Sequence, residues 1–332
     1  YHWDWAQATL LRAVADRWEL GIDKENMLSY IRQSMDVTMD QAVGIHPNAV
    51  ASAFGMALMA RATGEDKYRQ KAFEIYEQYL QIVRAGNGGV SHRDNVTELW
   101  DDTVYMVSLF LNEMYLLTGE EKYLRETAFQ LMAHQEKLED PKTGLWYHGW
   151  DGDSIDFDDG CCMLGWADNP ERRGGQFWGR GNGWVAMTLA NTLHLMPQKM
   201  EERDQLLALF HKMMQTLIPL QDEKTGHWYQ LPLFPGEENN FIESSSTAMF
   251  GYAMALGIAD GLLPEETYRP VVEKAYKGIE TYSLEPLGNF LNITNVCSGT
   301  CIGDKAYYYG REVVAGTPFA LGAAIMFHDR YF

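Results

Sequence analysis

The residues that could do chemistry begin with Thr97-Glu98-Leu99-Trp100-Asp101-Asp102-Thr103, where two adjacent carboxylates and a tryptophan precede an apolar run, Val104 to Leu117, that reads as a helix. Asp and Thr favour helix starts, where their oxygens accept free backbone N–H groups. Only one of two neighbouring acids can serve that cap well, and the other faces whatever the loop encloses. An acid held in an apolar, aromatic setting has a raised pKa and can give up a proton near neutrality. A second segment, Phe177-Trp178-Gly179-Arg180-Gly181-Asn182-Gly183-Trp184, alternates glycines with two tryptophans and an arginine. A dinucleotide-binding loop would need a β-branched strand before it and a βαβ pattern around it, and neither is present. Indole faces flanking a guanidinium fork suit a sugar ring bearing a carboxylate, which stacks on indole while Arg180 takes the carboxylate bidentately.

Other segments carry weaker signals. His148 stands in Trp146-Tyr147-His148-Gly149-Trp150. A lone histidine is more often structural, but the counterpart of His148 in an internal repeat is Gln230, so the repeat does not demand histidine. His92, in Ser91-His92-Arg93-Asp94, reads as a loop residue or a site residue. Glu243-Ser244-Ser245-Ser246-Thr247-Ala248-Met249 reads mainly as a helix start capped by hydroxyls. Tyr307-Tyr308-Tyr309 supplies either an aromatic wall or part of a packed C-terminal hairpin.

These residues must be positioned by helices. Thr63-Gly64-Glu65-Asp66-Lys67-Tyr68 returns as Thr118-Gly119-Glu120-Glu121-Lys122-Tyr123. Each copy follows an apolar helix (Ala51 to Ala62; Val104 to Leu117) and precedes an amphipathic one (Tyr68 to Val83; Tyr123 to Leu138), with glycine ending the first helix. Third and fourth pairs run from Gly183 to Leu195 with Lys199 to Leu217, and from Ser246 to Ile258 with Glu265 to Tyr282. A second echo sets Lys142-Thr143-Gly144-Leu145-Trp146-Tyr147-His148 against Lys224-Thr225-Gly226-His227-Trp228-Tyr229-Gln230, each a turn into a short strand with inward aromatics. A helix apolar all round is buried on all sides, so the pairs predict an all-α (α/α)6 barrel, six helical hairpins with short β-strands in the loops. Loops entering the inner helices converge on one face, where Asp101/Asp102, Trp178 to Trp184 and Ser244 to Thr247 should meet.

Composition sets the outer limits. The 332 residues are 46% hydrophobic, enough for one large core, and nothing divides the chain, so one catalytic domain over 1–332 is expected. No apolar stretch approaches the ~18 residues of a membrane span. The formal charge of −19 argues against nucleic acid or an anionic membrane surface as partner. Cys161-Cys162 and Cys297/Cys301 lack metal-ligand spacing, so no structural metal is expected; buried thiols are the default and a 297–301 link is open. The compartment also stays open, bacterial periplasm or cytoplasm.

Taken together, Leu99-Trp100-Asp101-Asp102-Thr103, Trp146-Tyr147-His148-Gly149, the Phe177 to Trp184 segment and Glu243 to Met249 resemble the unsaturated glucuronyl/rhamnogalacturonyl hydrolases. Glycoside hydrolase family 105 is the closer match and family 88 a more distant one, over about Tyr1 to Phe332. The resemblance implies the six-hairpin α/α barrel already read from the repeats. It also implies a small anionic oligosaccharide substrate, left by polysaccharide lyases, with a 4,5-unsaturated uronic acid at its non-reducing end. No cofactor is implied. In that family an aspartic acid protonates C4 and water adds at C5, after which the hemiketal opens and the sugar is lost. The family's acid follows the tryptophan by two positions and precedes a threonine, which points to Asp102 and leaves Asp101 as cap or support. Position-matching makes His148, Trp178, Arg180 and Trp184 substrate contacts, with Trp100, Asn48 and His92 beside them. The chain departs from the pattern in Gly44-Ile45-His46-Pro47-Asn48-Ala49-Val50, where the family usually has a second aspartate and Asn48 falls nearest. An amide can bond sugar hydroxyls or the attacking water but takes up no proton. Two other readings remain: an ordinary glycosidase using Asp151, Asp153 or Glu243 as its second carboxylate, and a non-catalytic carbohydrate-binding barrel.

Overall fold

Helices with apolar residues around their whole circumference have no face to give to water, and they set the architecture. In a computed structural model, which describes residues 2–155, 158 and 160–332, every residue from Thr103 to Met114 and from Ser244 to Gly257 is buried. The chain runs through α1 (Trp5–Glu19), α2 (Lys24–Thr38), the short α3 (Pro47–Ala51), α4 (Phe54–Thr63), α5 (Asp66–Tyr79), α6 (Thr103–Thr118) and α7 (Lys122–Leu138). It continues through α8 (Gly179–Leu195), α9 (Arg203–Leu217), α10 (Ser244–Ala259), α11 (Glu265–Tyr282), the short α12 (Lys305–Tyr309) and α13 (Pro318–Tyr331). Neighbouring inner helices pack in the order α1, α13, α10, α8, α6 and α4, and α3 closes the ring against α1. The outer helices α2, α5, α7, α9 and α11 each pack on the inner helix that precedes them. They are one-sided: α11 buries Tyr268, Val271, Val272, Ala275, Gly278 and Ile279, a single stripe at helical spacing. Six inner helices thus form the barrel, five with an outer partner among the described residues. No described helix is long and apolar enough to cross a membrane.

The repeats hold at atomic detail. Gly64 and Gly119 end α4 and α6 at φ of 74° and 73°, a left-handed conformation that costs glycine little. In the second echo, Asp140 and Asp222 each accept from the backbone of a threonine, Thr143 or Thr225, before Trp146 and Trp228 enter the core. The expected Ala51 to Ala62 helix is interrupted: α3 stops at Ala51 and α4 starts at Phe54.

Short antiparallel ribbons connect the helices. β1 (Glu98–Trp100) pairs with β2 (Gly149–Asp151), and β3 (Trp228–Tyr229) pairs with β4 (Ile242–Glu243). β5 (Leu284–Leu287) pairs with β6 (Phe290–Ile293), and β7 (Val296–Cys297) with β8 (Val313–Val314). β1 runs directly into α6 and β4 into α10, so both ribbons sit at the mouth where inner helices begin.

The cysteines pair differently from the 297–301 link the sequence left open. Cys161 and Cys301, with Cα atoms 5.7 Å apart, form a disulfide. Cys297 is a buried thiol in β7, packed with Trp178, Leu231 and Tyr308, and its Sγ lies 3.1 Å from Thr300 Oγ1.

Candidate active site

The three helix starts do meet, and backbone bonds fix their spacing. The N–H of Asp101 donates to the carbonyl of His148 (3.0 Å), tying the start of α6 to the echo strand. Asn182, inside the glycine-rich segment, accepts from Trp146 N (2.8 Å) and donates to the carbonyls of Trp146 and Trp178. Gly179 N donates to Gln230 O (2.7 Å), joining α8 to the second echo.

Within this frame the two aspartates part company. Asp101 is wholly buried, and neither of its carboxyl oxygens has a hydrogen-bond partner among the described residues. It packs against Gly181 so closely that a Cβ added there would lie 2.1 Å from Oδ2. Burial, then the neighbouring charge of Asp102, holds its carboxyl protonated far above the usual carboxylate range. Asp101 is therefore no cap. Asp102 occupies the N-cap position of α6, but its backbone is already helical (φ −76°, ψ −20°) and its side chain caps nothing. That carboxyl turns instead to a cavity. Burial raises it to about 7, against the pull of Arg180 and of the Asp102 and Thr103 N–H groups.

The cavity has a volume of about 600 Å³ and is lined by Trp5, His46, Asn48, His92, Arg93, Asp94, Asn95, Trp100 and Asp102, with Cys161 and the stretch 299–301 opposite. His92 lies flat on Trp100, centroids 4.2 Å apart and planes 4° from parallel. Its Nδ1 is 2.9 Å from Thr103 Oγ1 and 3.3 Å from Asp102 Oδ1, while Nε2 is 3.2 Å from Asn48 Nδ2. Burial, with Arg93 and His46 nearby, pushes His92 down to about 3, so the ring is neutral. An amide nitrogen donates to Nε2, which leaves the ring proton on Nδ1, facing Thr103 and Asp102. Trp100 is held in turn by its Nε1, which donates to Glu98 Oε2 (2.7 Å).

Of the residues singled out in the sequence, Asp102, Trp100, Asn48 and His92 line this cavity. His148, Trp178, Arg180 and Trp184 stand behind its wall, each at most 2% exposed. His148 stacks on Trp178 (4.5 Å) and meets Trp100 edge-on (5.5 Å). Trp184 stacks on Tyr105 (4.6 Å) and touches Trp5 edge-on. Arg180 donates to the carbonyls of Cys297 (2.6 Å) and Ser298 (2.8 Å), lies 3.7 Å from Glu243 and packs over Trp178 and Phe319. Its two terminal nitrogens are thus turned to backbone, and its charge reaches Asp102 through the protein. Glu243 caps α10, accepting from Ser245 N, Ser246 N, Ser245 Oγ and Cys297 N. Asp151 accepts from Asp153 N and Ser154 N and borders a separate cavity, while Asp153 accepts from Thr97 N and Ile155 N. None of these three acids lines the cavity of Asp102; the other acid there is Asp94. Sequence reasoning passed over Trp5, Arg93 and Asn182. Only Arg93 carried a local signal, as the neighbour of His92.

A ring of helices with an unpaired, proton-bearing carboxyl in an aromatic cavity at its mouth defines a helical-barrel glycoside hydrolase. The chain belongs to Glycosyl Hydrolase Family 88, whose family model matches residues 1–331. It is 28% identical to the unsaturated rhamnogalacturonyl hydrolase YesR of Bacillus subtilis (strain 168), over 93% of this chain and 83% of that one. It is 24% identical to an unsaturated 3S-rhamnoglycuronyl hydrolase of Alteromonas sp. (strain LOR), over 83% of this chain and 66% of that protein. Among solved structures, a family 105 glycoside hydrolase of C. acetobutylicum ATCC 824 superposes with a TM-score of 0.89, at 25% identity over 99% of this chain and 94% of that one.

Proposed function

We propose that the protein hydrolyses oligosaccharides ending in a 4,5-unsaturated uronic acid, by hydrating the C4=C5 double bond with Asp102 as the proton donor. The observation that carries this reading is the Asp102 carboxyl, raised to about 7 by burial and facing an aromatic cavity that Asp151, Asp153 and Glu243 do not reach. A conventional glycosidase needs two carboxyl groups flanking the scissile bond, and the other acid of this cavity, Asp94, is an exposed residue at its rim. An enol ether needs one strong acid and water. The relatives named for unsaturated rhamnogalacturonyl and rhamnoglycuronyl hydrolysis support the same substrate class.

The steps balance with one water consumed. Asp102 gives its proton to C4, and water bonds to C5, releasing a proton that restores the acid. The C5 hemiketal opens: its hydroxyl proton is lost, C5 becomes a ketone, and the ring oxygen leaves C5 and takes a proton. That frees a hydroxyl on C1, and the resulting hemiacetal expels the remaining sugar as an alcohol and becomes an aldehyde. Trp100, covered by His92 and Arg93, forms part of the cavity wall, and Asn48 and His92 offer polar groups for hydroxyls or the incoming water. Arg180 acts on the charge that builds at Asp102, and Trp178, Trp184 and His148 hold the wall.

The test is a panel of lyase-generated pectin, ulvan and glycosaminoglycan fragments, followed by loss of the enoate absorbance. Loss on at least one fragment, with release of its reducing-side sugar, is expected. Cleavage of saturated aryl glycosides with the enoate band intact would replace this reading with an ordinary glycosidase.

A further inference from the structure

Tyr308 lies in α12 with its ring wholly buried beside Trp178, Leu231 and Cys297. The two copies of the second echo grip it from both ends. Gln230 Nε2 donates to the Tyr308 carbonyl (2.7 Å), and the Tyr308 hydroxyl lies 2.7 Å from Nδ1 of His148, the residue at the same place in the other copy. The backbone N–H of Gly303 also faces that hydroxyl, and it can only donate to the phenol oxygen.

His148 is neutral, because burial, helped by His92 and Arg180, drives its pKa well below the ordinary value. One ring nitrogen therefore carries one proton, and two arrangements are possible. With the proton on Nδ1, the ring would donate to the phenol oxygen. The phenol's own proton and the Nε2 lone pair would then both be buried without a partner. With the proton on Nε2, the phenol donates to Nδ1, and only the Nε2–H remains, consistent with Nε2 having no partner among the described residues. Unpaired buried groups are costly, so the second arrangement wins by one group.

We propose that Tyr308 is a positioning residue: it locks His148 in the Nε2–H form, and with it the buried ring that meets Trp100 edge-on (5.5 Å) and backs the wall of the cavity. This role rests on the hydrolase reading above. His134 supplies an internal contrast. Its Nδ1 lies 2.8 Å from the Gln130 carbonyl, which only accepts, so its proton sits on Nδ1, and burial keeps it neutral with a pKa of about 4. Two buried, neutral histidines of this chain thus hold opposite tautomers.

The experiment is a two-bond proton–nitrogen spectrum of the full chain labelled with 15N-histidine at pH 7, assigned with His148→Gln and His134→Gln. The expected spectrum has Nδ1 bare in His148 and protonated in His134. In Tyr308→Phe, the His148 nitrogens move towards the average of the two forms while His134 stays, and kcat/KM on an unsaturated disaccharide falls roughly ten-fold, the worth of one buried hydrogen bond. A protonated Nδ1 in wild-type His148 overturns the proposal, and this reading needs no variant that might fold poorly. Unmoved His148 signals or undiminished kcat/KM in a folded Tyr308→Phe would overturn it as well. A wild-type protein inert on every unsaturated fragment would sink the hydrolase reading instead, while the nitrogen spectrum would still decide the tautomer.

Discussion

Helix α6 carries a buried acid near each end, and the two ends treat their acids in opposite ways. Towards its C-terminus, Glu113 is almost fully buried and takes two guanidiniums, Arg61 Nε at 2.8 Å and Arg12 Nη1 at 3.2 Å. The same arginines bind Glu19 and Asp16, so a charge network joins α1, α4 and α6 at that end of the barrel. At its start, among the described residues, Asp101 has no partner for either oxygen, and Asp102 has only a neutral histidine within 4 Å among the ionisable groups paired with it. A buried charge that is paired ties helices together. A buried acid left unpaired keeps its proton and becomes a reagent. One helix therefore separates stability from chemistry by some ten residues of length, and substitutions at the two ends should fail in different ways.

The largest effect belongs to Asp102→Asn. It removes the transferable proton and keeps the shape, so kcat should fall by about 10²–10⁴-fold. The midpoint of thermal unfolding should hold or rise, since a buried acid has been replaced by a neutral amide. An active Asp102→Asn beside an inactive Asp101→Asn would move the donor to the buried neighbour. Glu113→Gln is the mirror case. It leaves Arg12 and Arg61 short of one charge and should cost about 3 kcal/mol in denaturant unfolding, while the folded fraction turns over at the wild-type kcat. A large kcat loss there would mean that the two ends are coupled, and the contrast would fail. Gly181→Ala falls between the two, because its Cβ would strike the Asp101 carboxyl. A cost of roughly 1–3 kcal/mol is expected, with most of it recovered in the Gly181→Ala/Asp101→Ala double variant. If the double variant is no more stable than the single one, the collision is not what excludes a side chain at 181.

The helical ring was legible because α6 and α10 carry apolar residues around their whole circumference, and because the Thr-Gly turns repeat with their glycines in place. Convergence of Asp101/Asp102, the Trp178 to Trp184 segment and Ser244 to Thr247 followed from their common position at inner-helix starts. The rest lay in partners without a side-chain signature. Arg180 spends its donors on the backbone carbonyls of Cys297 and Ser298, more than a hundred residues away, so its neighbourhood had no motif to betray it. The Cys161–Cys301 disulfide spans 140 positions, and only the folded loops reveal it. Asp101 and Asp102 looked alike as letters. They differ because the chain turns one towards Gly181 and the other towards the cavity, a choice made by φ and ψ and not by composition.

The subtlest effect should come from Asn48→Asp, which puts a carboxylate where the resemblance led one to expect an aspartate. Proton donation by Asp102 requires its acid form, which is fully present well below pH 7 and is lost as pH rises through about 7. The wild-type profile of kcat/KM should therefore fall on its alkaline side near that value. A carboxylate at 48 would sit against Nε2 of His92, whose opposite nitrogen faces Asp102. A like charge disfavours ionisation of Asp102, so its pKa rises and the alkaline limb moves up, by about half a unit to one unit through this partly solvated space. The new acceptor also draws the His92 proton from Nδ1 to Nε2, leaving Nδ1 to accept from Asp102, which again favours the protonated acid. Both influences carry the same sign. A limb that moves down, or stays where it was, would show that position 48 does not address the acid that titrates, and the proton donor would then have to be sought away from the His92–Asn48 side of the cavity.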